Sequence, residues 1–553
     1  MRFPRNSLRI GATVLLVASA ATISQAQVFV YRGKIDDPLT ADTGRRYKEV
    51  QVGDFNEDGW PDIYACQRQT NGTGNGTNKD RVFLNQQPLN LSNLSNVLAS
   101  QAQPSAFNNL MTTRGYDVEV ADLDGDGNVD IVRPDVGQVD ILWGDGNGLF
   151  TPTNIITDGS GIKLGSGAGG NDPNGTGNYD DVAIGDLDAD GDFDILVAHY
   201  DTTGNNLLLR NRQAEGLDRT FDIELFDNAQ STHTISVADF DTDGTLDVVL
   251  AKTNGGSKLL RGDRPICDTV YNTHLNLTSP LSTDPTTVAD FVDLDLDGKL
   301  DIYLARVVFG DPLDPMEEQH AVYFQSSPGG FTRFDVPVGA GDPSVYDSRY
   351  ADVDQNGTMD LIRANIHFGA GSTLQAVRVN ANRTYTDLTP SFFAGVEFGE
   401  MGVELADLDR DGDLDLVLAG SSENTGDPNS GHAAIHIYEN TTIVLVPGEN
   451  RPPTAEPDFV TTLKDTTVSI PLGAFLANDS DPDGSILWQD YDRVTEMGGT
   501  NDCCHAGGFN YTPPPGFVGI DRMNYTIGDL NGVETTGTIT ITVVGCPSCA
   551  QCK

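Results

Sequence analysis

The segment Asp293-Leu-Asp295-Leu-Asp297-Gly298-Lys299-Leu-Asp301 places four carboxylates and a glycine within nine residues, and its spacing recurs along the chain. The shared pattern is D-x-[DN]-x-[DN]-G-x-x-D. Its seven copies begin at Asp54, Asp122, Asp186, Asp239, Asp293, Asp352 and Asp407. Successive copies start 53 to 68 residues apart. That period fits one four-stranded propeller blade and is too long for leucine-rich or helical-hairpin repeats. The sequence therefore predicts a seven-bladed β-propeller.

The residue types at fixed positions of this loop are those that bind calcium. Ca²⁺ takes about six to eight oxygen ligands from carboxylates, amides and carbonyls. Positions 1, 3 and 5 carry Asp or Asn, and the glycine at position 6 permits the sharp turn that lets their oxygens converge. Position 7 would add a backbone carbonyl and position 9 a further carboxylate. Up to seven calcium ions are thus predicted. The predicted ligands are Asp54, Asn56, Asp58, Trp60 and Asp62; Asp122, Asp124, Asp126, Asn128 and Asp130; Asp186, Asp188, Asp190, Asp192 and Asp194; Asp239, Asp241, Asp243, Thr245 and Asp247; Asp293, Asp295, Asp297, Lys299 and Asp301; Asp352, Asp354, Asn356, Thr358 and Asp360; and Asp407, Asp409, Asp411, Asp413 and Asp415.

The EF-hand shares the first six positions of this loop but needs a Glu at position 12 and a helix on each side. Position 12 here is Ala65, Arg133, Val197, Leu250, Leu304, Arg363 or Leu418. The flanking segments are short and β-rich, so we expect each loop to join two strands of a hairpin. A metal-free alternative stays open, in which the aspartates only form Asx-turns. It applies most to the first and sixth loops, where Asn56 and Asn356 replace a carboxylate.

With these loops the chain resembles the FG-GAP/VCBS repeat family, whose calcium-loop propeller is also found in the head of integrin α-subunits. Segments 142–150 and 323–331 are similar to the family's sequence after the calcium hairpin. The resemblance covers roughly residues 28–445. It implies calcium loops on one face of the disc and a recognition surface commonly on the other, without implying a ligand. Ring closure should pair Val28-Phe-Val-Tyr-Arg with Ala433-Ala-Ile-His-Ile-Tyr.

The charge of the chain limits its partners. Its 34 Lys and Arg against 81 Asp and Glu give a net charge of −47, which repels nucleic acid and anionic membrane surfaces and favours bound cations. Residues 1–26 combine early arginines, an apolar run and a small-residue ending, which is typical of a cleavable signal peptide. No later stretch has the roughly 18 to 20 apolar residues of a membrane span. We therefore expect a secreted or cell-surface protein.

The predicted fold class is all-β, a seven-bladed propeller followed by a small β-sandwich. We expect the signal peptide at 1–26, the propeller at 27–446, a linker at 447–453, a cadherin-like or Ig-like sandwich at 454–545 and a cysteine-containing tail at 546–553. In the sandwich, the segment with Asp479, Asp481 and Asp483 either holds one more calcium or forms a tight turn. The tail cysteines suit disulfides with Cys503 and Cys504, or a zinc or redox site.

The leading functional hypothesis is a recognition or adhesion module that binds an extracellular protein or glycan through blade-end loops, with calcium in a structural role. The polar insertions 71–78 and 165–177 are candidate variable loops. The alternative is an extracellular polysaccharide-degrading or sugar-converting enzyme, a lyase or hydrolase, although the sequence contains no recognisable catalytic motif. Arg261-Gly262-Asp263 is an integrin-ligand tripeptide that we expect in a loop, where chance explains it better than function.

Overall fold

A computed structural model describes residues 28–442 and 453–544 of the 553-residue chain, with internal gaps. The longer gaps are 37–44, 70–79, 86–97, 104–116, 154–178, 278–285, 307–319, 337–344, 394–401, 422–432 and 472–486. Several predicted features lie outside the described residues. They are the signal peptide, the linker apart from Pro453, the segment with Asp479, Asp481 and Asp483, the cysteine tail, Asp411, and the insertions 71–78 and 165–177.

The described chain forms seven four-stranded antiparallel sheets, as the repeat predicts. Strand β1 (Phe29–Asp36) belongs to the last blade. Blade 1 contains β2 (Arg45–Gly53), β3 (Asp62–Gln69), β4 (Arg81–Asn85) and β5 (Leu98–Ser100); blade 2 contains β6 (Glu119–Ala121), β7 (Asp130–Asp135), β8 (Gln138–Gly144) and β9 (Phe150–Thr153); blade 3 contains β10 (Tyr179–Gly185), β11 (Asp194–His199), β12 (Asn206–Asn211) and β13 (Phe221–Phe226). Blade 4 contains β14 (Thr232–Ala238), β15 (Asp247–Lys252), β16 (Ser257–Asp263) and β17 (Val270–Leu277); blade 5 contains β18 (Thr286–Val292), β19 (Asp301–Arg306), β20 (His320–Ser327) and β21 (Gly330–Val336); blade 6 contains β22 (Val345–Ala351), β23 (Asp360–Asn365), β24 (Thr373–Val379) and β25 (Tyr385–Asp387). After the short helix α1 (Thr389–Phe392), blade 7 adds β26 (Gly402–Ala406), β27 (Asp415–Ser421) and β28 (Ala433–Asn440).

The ring closes through the N-terminal strand. β1 pairs antiparallel with β28, so that Phe29 lies opposite Asn440 and Ile35 opposite Ile435. The predicted closing segments are thereby confirmed. The first strand of each blade contacts the neighbouring blades, and β2 of blade 1 contacts β26 and β27 of blade 7. Closure therefore builds the last blade from both ends of the propeller sequence, with β1 as its outermost strand.

The apolar core consists of seven clusters, each lying between two adjacent blades. The second strands, such as β11, are buried along their whole length, because neighbours cover both faces of each blade. In every carboxylate loop the side chain at position 2 is buried in the cluster shared with the following blade. These residues are Phe55, Leu123, Leu187, Phe240, Leu294, Val353 and Leu408. Each loop is therefore anchored in an interface between blades.

The C-terminal part forms two facing sheets, as expected for a β-sandwich. One sheet has the order β29 (Asp458–Leu463), β35 (Glu534–Val544), β34 (Gly519–Gly528) and β31 (Leu487–Tyr491); the other has β30 (Val468–Pro471), β33 (Gly508–Thr512) and β32 (Thr500–His505). Its core includes Ile470, Tyr511 and Ile539. In the described part of the chain, no helix has the length and hydropathy to cross a membrane.

Candidate metal centres and recognition face

All seven carboxylate loops join the first and second strands of a blade, so the hairpin prediction is confirmed. The glycine at position 6 has a positive φ in every loop, for example 83° at Gly298. That conformation strains residues with a side chain. The position 1 carboxylate then accepts the N–H of position 6 in all seven loops, as in Gly298 N to Asp293 Oδ2 at 2.8 Å. The loop thus wraps its backbone around the first carboxylate.

The aspartate at position 9 holds each loop to its blade. All seven of these side chains are fully buried. Their Oδ2 accepts the N–H of position 2 at 2.9–3.2 Å. In six blades Oδ1 accepts a backbone N–H from the third strand, as in Gln325 N to Asp301 at 2.8 Å. In blade 6 the donor is instead Nε of Arg378, at 3.0 Å. Position 9 therefore has a structural role beside its predicted ligand role.

Arginines contact the position 3 aspartate in loops two to six, and the sequence alone did not indicate them. In blades 3, 4 and 6 the arginine lies on the third strand of the same blade; these are Arg210 to Asp188, Arg261 to Asp241 and Arg378 to Asp354. In blades 2 and 5 the third strand carries Trp143 or Phe324 instead. An arginine from the following blade stacks on that ring and reaches the aspartate, Arg219 to Asp124 at 2.5 Å and Arg383 to Asp295 at 2.9 Å. A sequence signal exists only for the first group, since Arg210 and Arg261 directly precede the residue that caps position 9 and Arg378 caps it with its own side chain.

The carboxylates converge as a metal site requires. In each of loops two to six, oxygens from three aspartates lie within 4.8 Å of one another. The groups are Asp122, Asp124 and Asp130; Asp186, Asp188 and Asp194; Asp239, Asp241 and Asp247; Asp293, Asp295 and Asp297; and Asp352, Asp354 and Asp360. Arginine binds Oδ2 of Asp188, Asp241 and Asp295, whereas their Oδ1 atoms are buried and accept no hydrogen bond from the residues that the structure describes. A buried anionic oxygen without a donor fits a cation ligand.

The first and sixth loops differ in the way their asparagines are used. Nδ2 of Asn56 donates to Asp58 at 3.2 Å, and Nδ2 of Asn356 donates to Asp354. Each amide therefore occupies an acceptor on a neighbouring carboxylate and supplies no charge of its own. These two loops have the least negative charge at positions 1, 3 and 5.

Burial and mutual repulsion make these carboxylates reluctant to ionise without a cation. Burial raises the pKa to about 8 for Asp62 and Asp301, and to about 9 for Asp194, where the Asp188 charge adds to the effect. At position 1, burial raises the pKa of Asp186 to about 7 and that of Asp239 to about 6. Bound divalent cations would remove this penalty by pairing with the ionised oxygens.

These shifts predict an unusual pH dependence for the metal-free protein. The folded pKa values lie above the ordinary value of about 4, so the folded chain binds protons more tightly than the unfolded chain. Stability from this source is lost as the pH rises through the folded values. In chelator, the melting temperature should therefore rise when the pH is lowered from about 8.5 to about 6.5, and calcium should abolish the trend. Differential scanning fluorimetry checks this; a metal-free melting temperature that falls over that interval would contradict it.

Side-chain amides connect the loops of neighbouring blades. Four third-strand residues donate to the position 2 carbonyl of the preceding blade's loop: Asn85 to Leu408, Asn211 to Leu123, Gln325 to Phe240 and Asn440 to Val353, at 2.7–3.1 Å. In blade 2, backbone N–H of Gly148 bonds Phe55 O at 2.7 Å. The same four residues also donate their backbone N–H to the position 9 aspartate of their own blade. Each of them therefore contacts two consecutive carboxylate loops.

The expectation that Arg261-Gly262-Asp263 lies in a loop is wrong, because the tripeptide is part of strand β16. Arg261 contacts Asp241 and Asp243, and Gly262 N–H donates to Asp247 at 2.8 Å. The tripeptide is thus part of the fourth carboxylate loop's support. Its register follows from β16 pairing with β15, which the Gly-rich local sequence did not reveal.

A second cluster lies on the propeller axis at the end away from the carboxylate loops. It comprises Lys48, Asp180, Tyr200, His233 and Tyr346, which we call the axial cluster. Apart from Tyr200, which follows β11, its members occupy the early part of first strands, whose other ends lead into the carboxylate loops. The Lys48 ammonium lies 4.8 Å from the Tyr346 ring centroid, and the His233 ring lies 5.5 Å from Tyr346 and 5.8 Å from Tyr200. His233 Nε2 lies 3.7 Å from Asp180 Oδ2.

The blade numbers of these residues place the cluster at the centre of the disc. Tyr346 belongs to blade 6, whose neighbours in the ring are blades 5 and 7. It nevertheless contacts Lys48 of blade 1 and His233 of blade 4, which is possible only near the axis. Tyr200 is 38% exposed, which is high for a large aromatic side chain. Lys48 and Asp180 are buried, so the surface that this cluster offers a polar ligand consists of the rings of Tyr200 and the half-buried Tyr346, with the edge of His233 between them.

Two protein-family models match parts of this chain. A model of the FG-GAP-like repeat matches residues 54–133, 122–197 and 186–250, and a model of the bacterial Ig domain matches residues 450–542. Cartilage acidic protein 1 of Mus musculus is 25% identical over 274 residues, which are 43% of this chain and 39% of the mouse protein. The chain therefore spans about two fifths of the length of that curated relative.

Similar solved structures include two lectins. An Agrocybe aegerita lectin, described as recognising non-reducing terminal N-acetylglucosamine, has a TM-score of 0.41 and 16% identity, over 64% of this chain and 83% of the lectin. A Burkholderia pseudomallei lectin has a TM-score of 0.43 and 9% identity, over 73% of this chain and 98% of the lectin.

Proposed function

We propose that this chain, a seven-bladed β-propeller of FG-GAP-like repeats followed by a bacterial Ig domain, is an extracellular calcium-binding recognition module. In this proposal its ligand binds on the face opposite the carboxylate loops. The observation that carries the recognition role is the axial cluster, in which residues from blades 1, 3, 4 and 6 meet. A ring of seven sheets is needed to bring these groups together, so the cluster depends on the whole propeller.

Calcium has a structural role in this proposal. Positions 1, 3, 5 and 9 of the loops would hold the ions, with position 7 offering its carbonyl. When bound, calcium neutralises the clustered carboxylates and fixes each loop against the adjacent blade. The donor-free Oδ1 atoms of Asp188, Asp241 and Asp295 support this assignment. So does the net charge of −47, which calcium would reduce. Calcium at millimolar concentration is typical outside cells, which agrees with the signal-like N-terminal pattern and with the loop chemistry.

The chemistry of the axial cluster favours a glycan over a protein ligand. Sugar rings stack on aromatic faces such as that of the exposed Tyr200, and their hydroxyls bond to polar groups such as the His233 imidazole beside it, while the buried Asp180 lies behind that imidazole. A protein interface would instead need aromatic, Met and Arg side chains spread over a wide patch. The exposed large apolar residues of the described chain, such as Leu225 and Leu296, come from different blades. The enzyme alternative rests on the contact between His233 and Asp180, and turnover decides it.

The proposal predicts that Tyr200→Ala weakens glycan binding. Loss of one stacked aromatic ring should reduce affinity roughly fivefold, since such contacts contribute on the order of 1 kcal/mol. Glycan arrays with the calcium-loaded protein identify the probe, and titration calorimetry compares the variant with the wild type. Leu225→Ala is the matched control, because Leu225 is 73% exposed on the outer strand of blade 3. It should leave affinity unchanged.

Three outcomes would count against this function. Equal affinity in wild type and Tyr200→Ala would place the ligand elsewhere. Selective binding of a protein and of no glycan would reverse the preferred ligand class. Release of unsaturated or reducing sugar ends from acidic polysaccharides by the wild type, lost on His233→Gln, would establish the enzyme alternative.

A further inference from the structure

Two blade interfaces contain a buried arginine at position 12 of the carboxylate loop. At the interface of blades 1 and 2 this is Arg133, whose side chain is fully buried. Its Nη1 lies 3.0 Å from Asp80 Oδ2, and its Nη2 lies 2.6 Å from Asp140 Oδ2. Tyr64 OH also donates to Asp80 Oδ2, at 2.7 Å. Here the chain itself supplies the acceptors that a buried guanidinium needs.

The interface of blades 5 and 6 has an arginine at the equivalent position, but different residue types surround it. Arg363 occupies position 12 of its loop and pairs with Gln375 across the strands, as Arg133 pairs with Asp140. Tyr303 lies opposite Val322 as Tyr64 lies opposite Val82, so His320 takes the place of Asp80. Both aspartates of the first site are thus replaced by neutral groups, an imidazole and an amide.

Arg363 consequently has too few acceptors. Its side chain is fully buried, and only Nη2 has a partner, Gln375 Oε1 at 2.9 Å. Nε and Nη1 make no hydrogen bond of good geometry with the described residues, and the nearest hydroxyl, that of Tyr303, is itself a donor. A buried guanidinium without a counter-charge costs several kcal/mol in general. The described side chains therefore leave the Arg363 guanidinium short of hydrogen-bond acceptors.

Two more buried donors lie around the Arg363 guanidinium. His320 Nδ1 accepts the backbone N–H of Arg306 at 3.2 Å, so the proton of the neutral ring is on Nε2. Burial and the charges of Arg363 and Arg306 hold the pKa of His320 well below its usual value, which keeps the ring neutral. The Tyr303 oxygen lies near two donors, the Arg363 guanidinium and the Ser348 hydroxyl. Neither the proton of Tyr303 OH nor that of His320 Nε2 has an acceptor of good geometry among the described residues. The His320 ring centroid lies 6.4 Å from that of Tyr303, and Arg363 is the largest charge acting on both groups.

From this excess of donors we infer that the interface of blades 5 and 6 binds a small inorganic anion of the halide class, held by Arg363, His320 and Tyr303. One negative charge balances the guanidinium, as Asp80 and Asp140 do for Arg133. A small ion is required because Arg363, His320 and Tyr303 are all at most 1% exposed. In a chain of net charge −47 the anion is bound at a locally cationic position, distinct from the carboxylate loops.

Bromide tests this inference directly in the calcium-loaded full-length protein. Crystals soaked in sodium bromide should give an anomalous peak beside Arg363 and none beside Arg133. In solution, the melting temperature should be roughly 2–5 °C higher in chloride than in gluconate at equal ionic strength. The double variant His320→Asp with Gln375→Asp installs the acid pair of blade 2, and its melting temperature should no longer depend on chloride.

The wild-type crystals keep the test decisive even if the double variant fails to fold. A water molecule or a carboxylate of the chain beside Arg363, with no bromide peak, would overturn the inference. So would equal melting temperatures of the wild type in chloride and gluconate.

Discussion

Removal of calcium should lower the melting temperature of the propeller by on the order of 20 °C. A ligand that binds only the folded chain stabilises it by about 2.7 kcal/mol per site when its concentration is a hundred times its Kd. The folded state brings three carboxylates together in each of five loops at least, an arrangement that the unfolded chain lacks. Because position 2 of each loop is buried between blades, loss of an ion should also loosen the interface beside it.

Calorimetry in calcium and in EDTA measures this effect at fixed pH and ionic strength. Adding calcium back should restore the original melt. Magnesium should not, because it demands a smaller octahedral site and keeps its own water. An unchanged melting temperature in EDTA would mean that the aspartates form Asx-turns without a structural metal.

The second large effect concerns the buried ion pairs at the interface of blades 1 and 2. Arg133→Gln should destabilise the protein by about 3–5 kcal/mol, since it leaves Asp80 and Asp140 buried without their counter-charge. The chain offers a matched control in Arg32, which pairs with Glu439 where both side chains are partly exposed. Arg32→Gln should cost less than about 1 kcal/mol.

Urea unfolding of both variants in saturating calcium separates the two cases. The Arg133 variant should also recover stability at low pH, where the stranded carboxylates can take up protons. Similar losses of unfolding free energy in the two variants would show that burial does not determine how much these ion pairs contribute to stability.

The sequence predicted those parts of the fold that repeat in register. A nine-residue spacing seen seven times predicted the blade count, and the β-rich flanks predicted the hairpin position of each loop. The closing strand that pairs with β28 was expected from the resemblance to FG-GAP/VCBS propellers. Spacing could also exclude the EF-hand, because position 12 has no Glu. It could not tell what position 12 does. Arg133 and Arg363 act across a blade interface, and their environments depend on residues of the preceding blade.

Contacts between blades account for most of what the sequence did not reveal. Arg219 and Arg383 contact loops that lie 88 or more residues earlier, and they stack on rings of the preceding blade. The axial cluster joins Lys48 to Tyr346 across the disc. The tripeptide at Arg261 was placed wrongly for the same reason, since its strand is defined by pairing with β15 and β17.

Metal analysis of the purified protein tests the central claim, that the carboxylate loops bind calcium, most directly. After equilibration in calcium and exhaustive dialysis against metal-free buffer, the account predicts retained calcium in the five loops that carry aspartate at positions 1, 3 and 5. At saturation the count should approach seven per chain, with the loops of Asn56 and Asn356 filling last. Less than one calcium per chain at saturation would contradict the account.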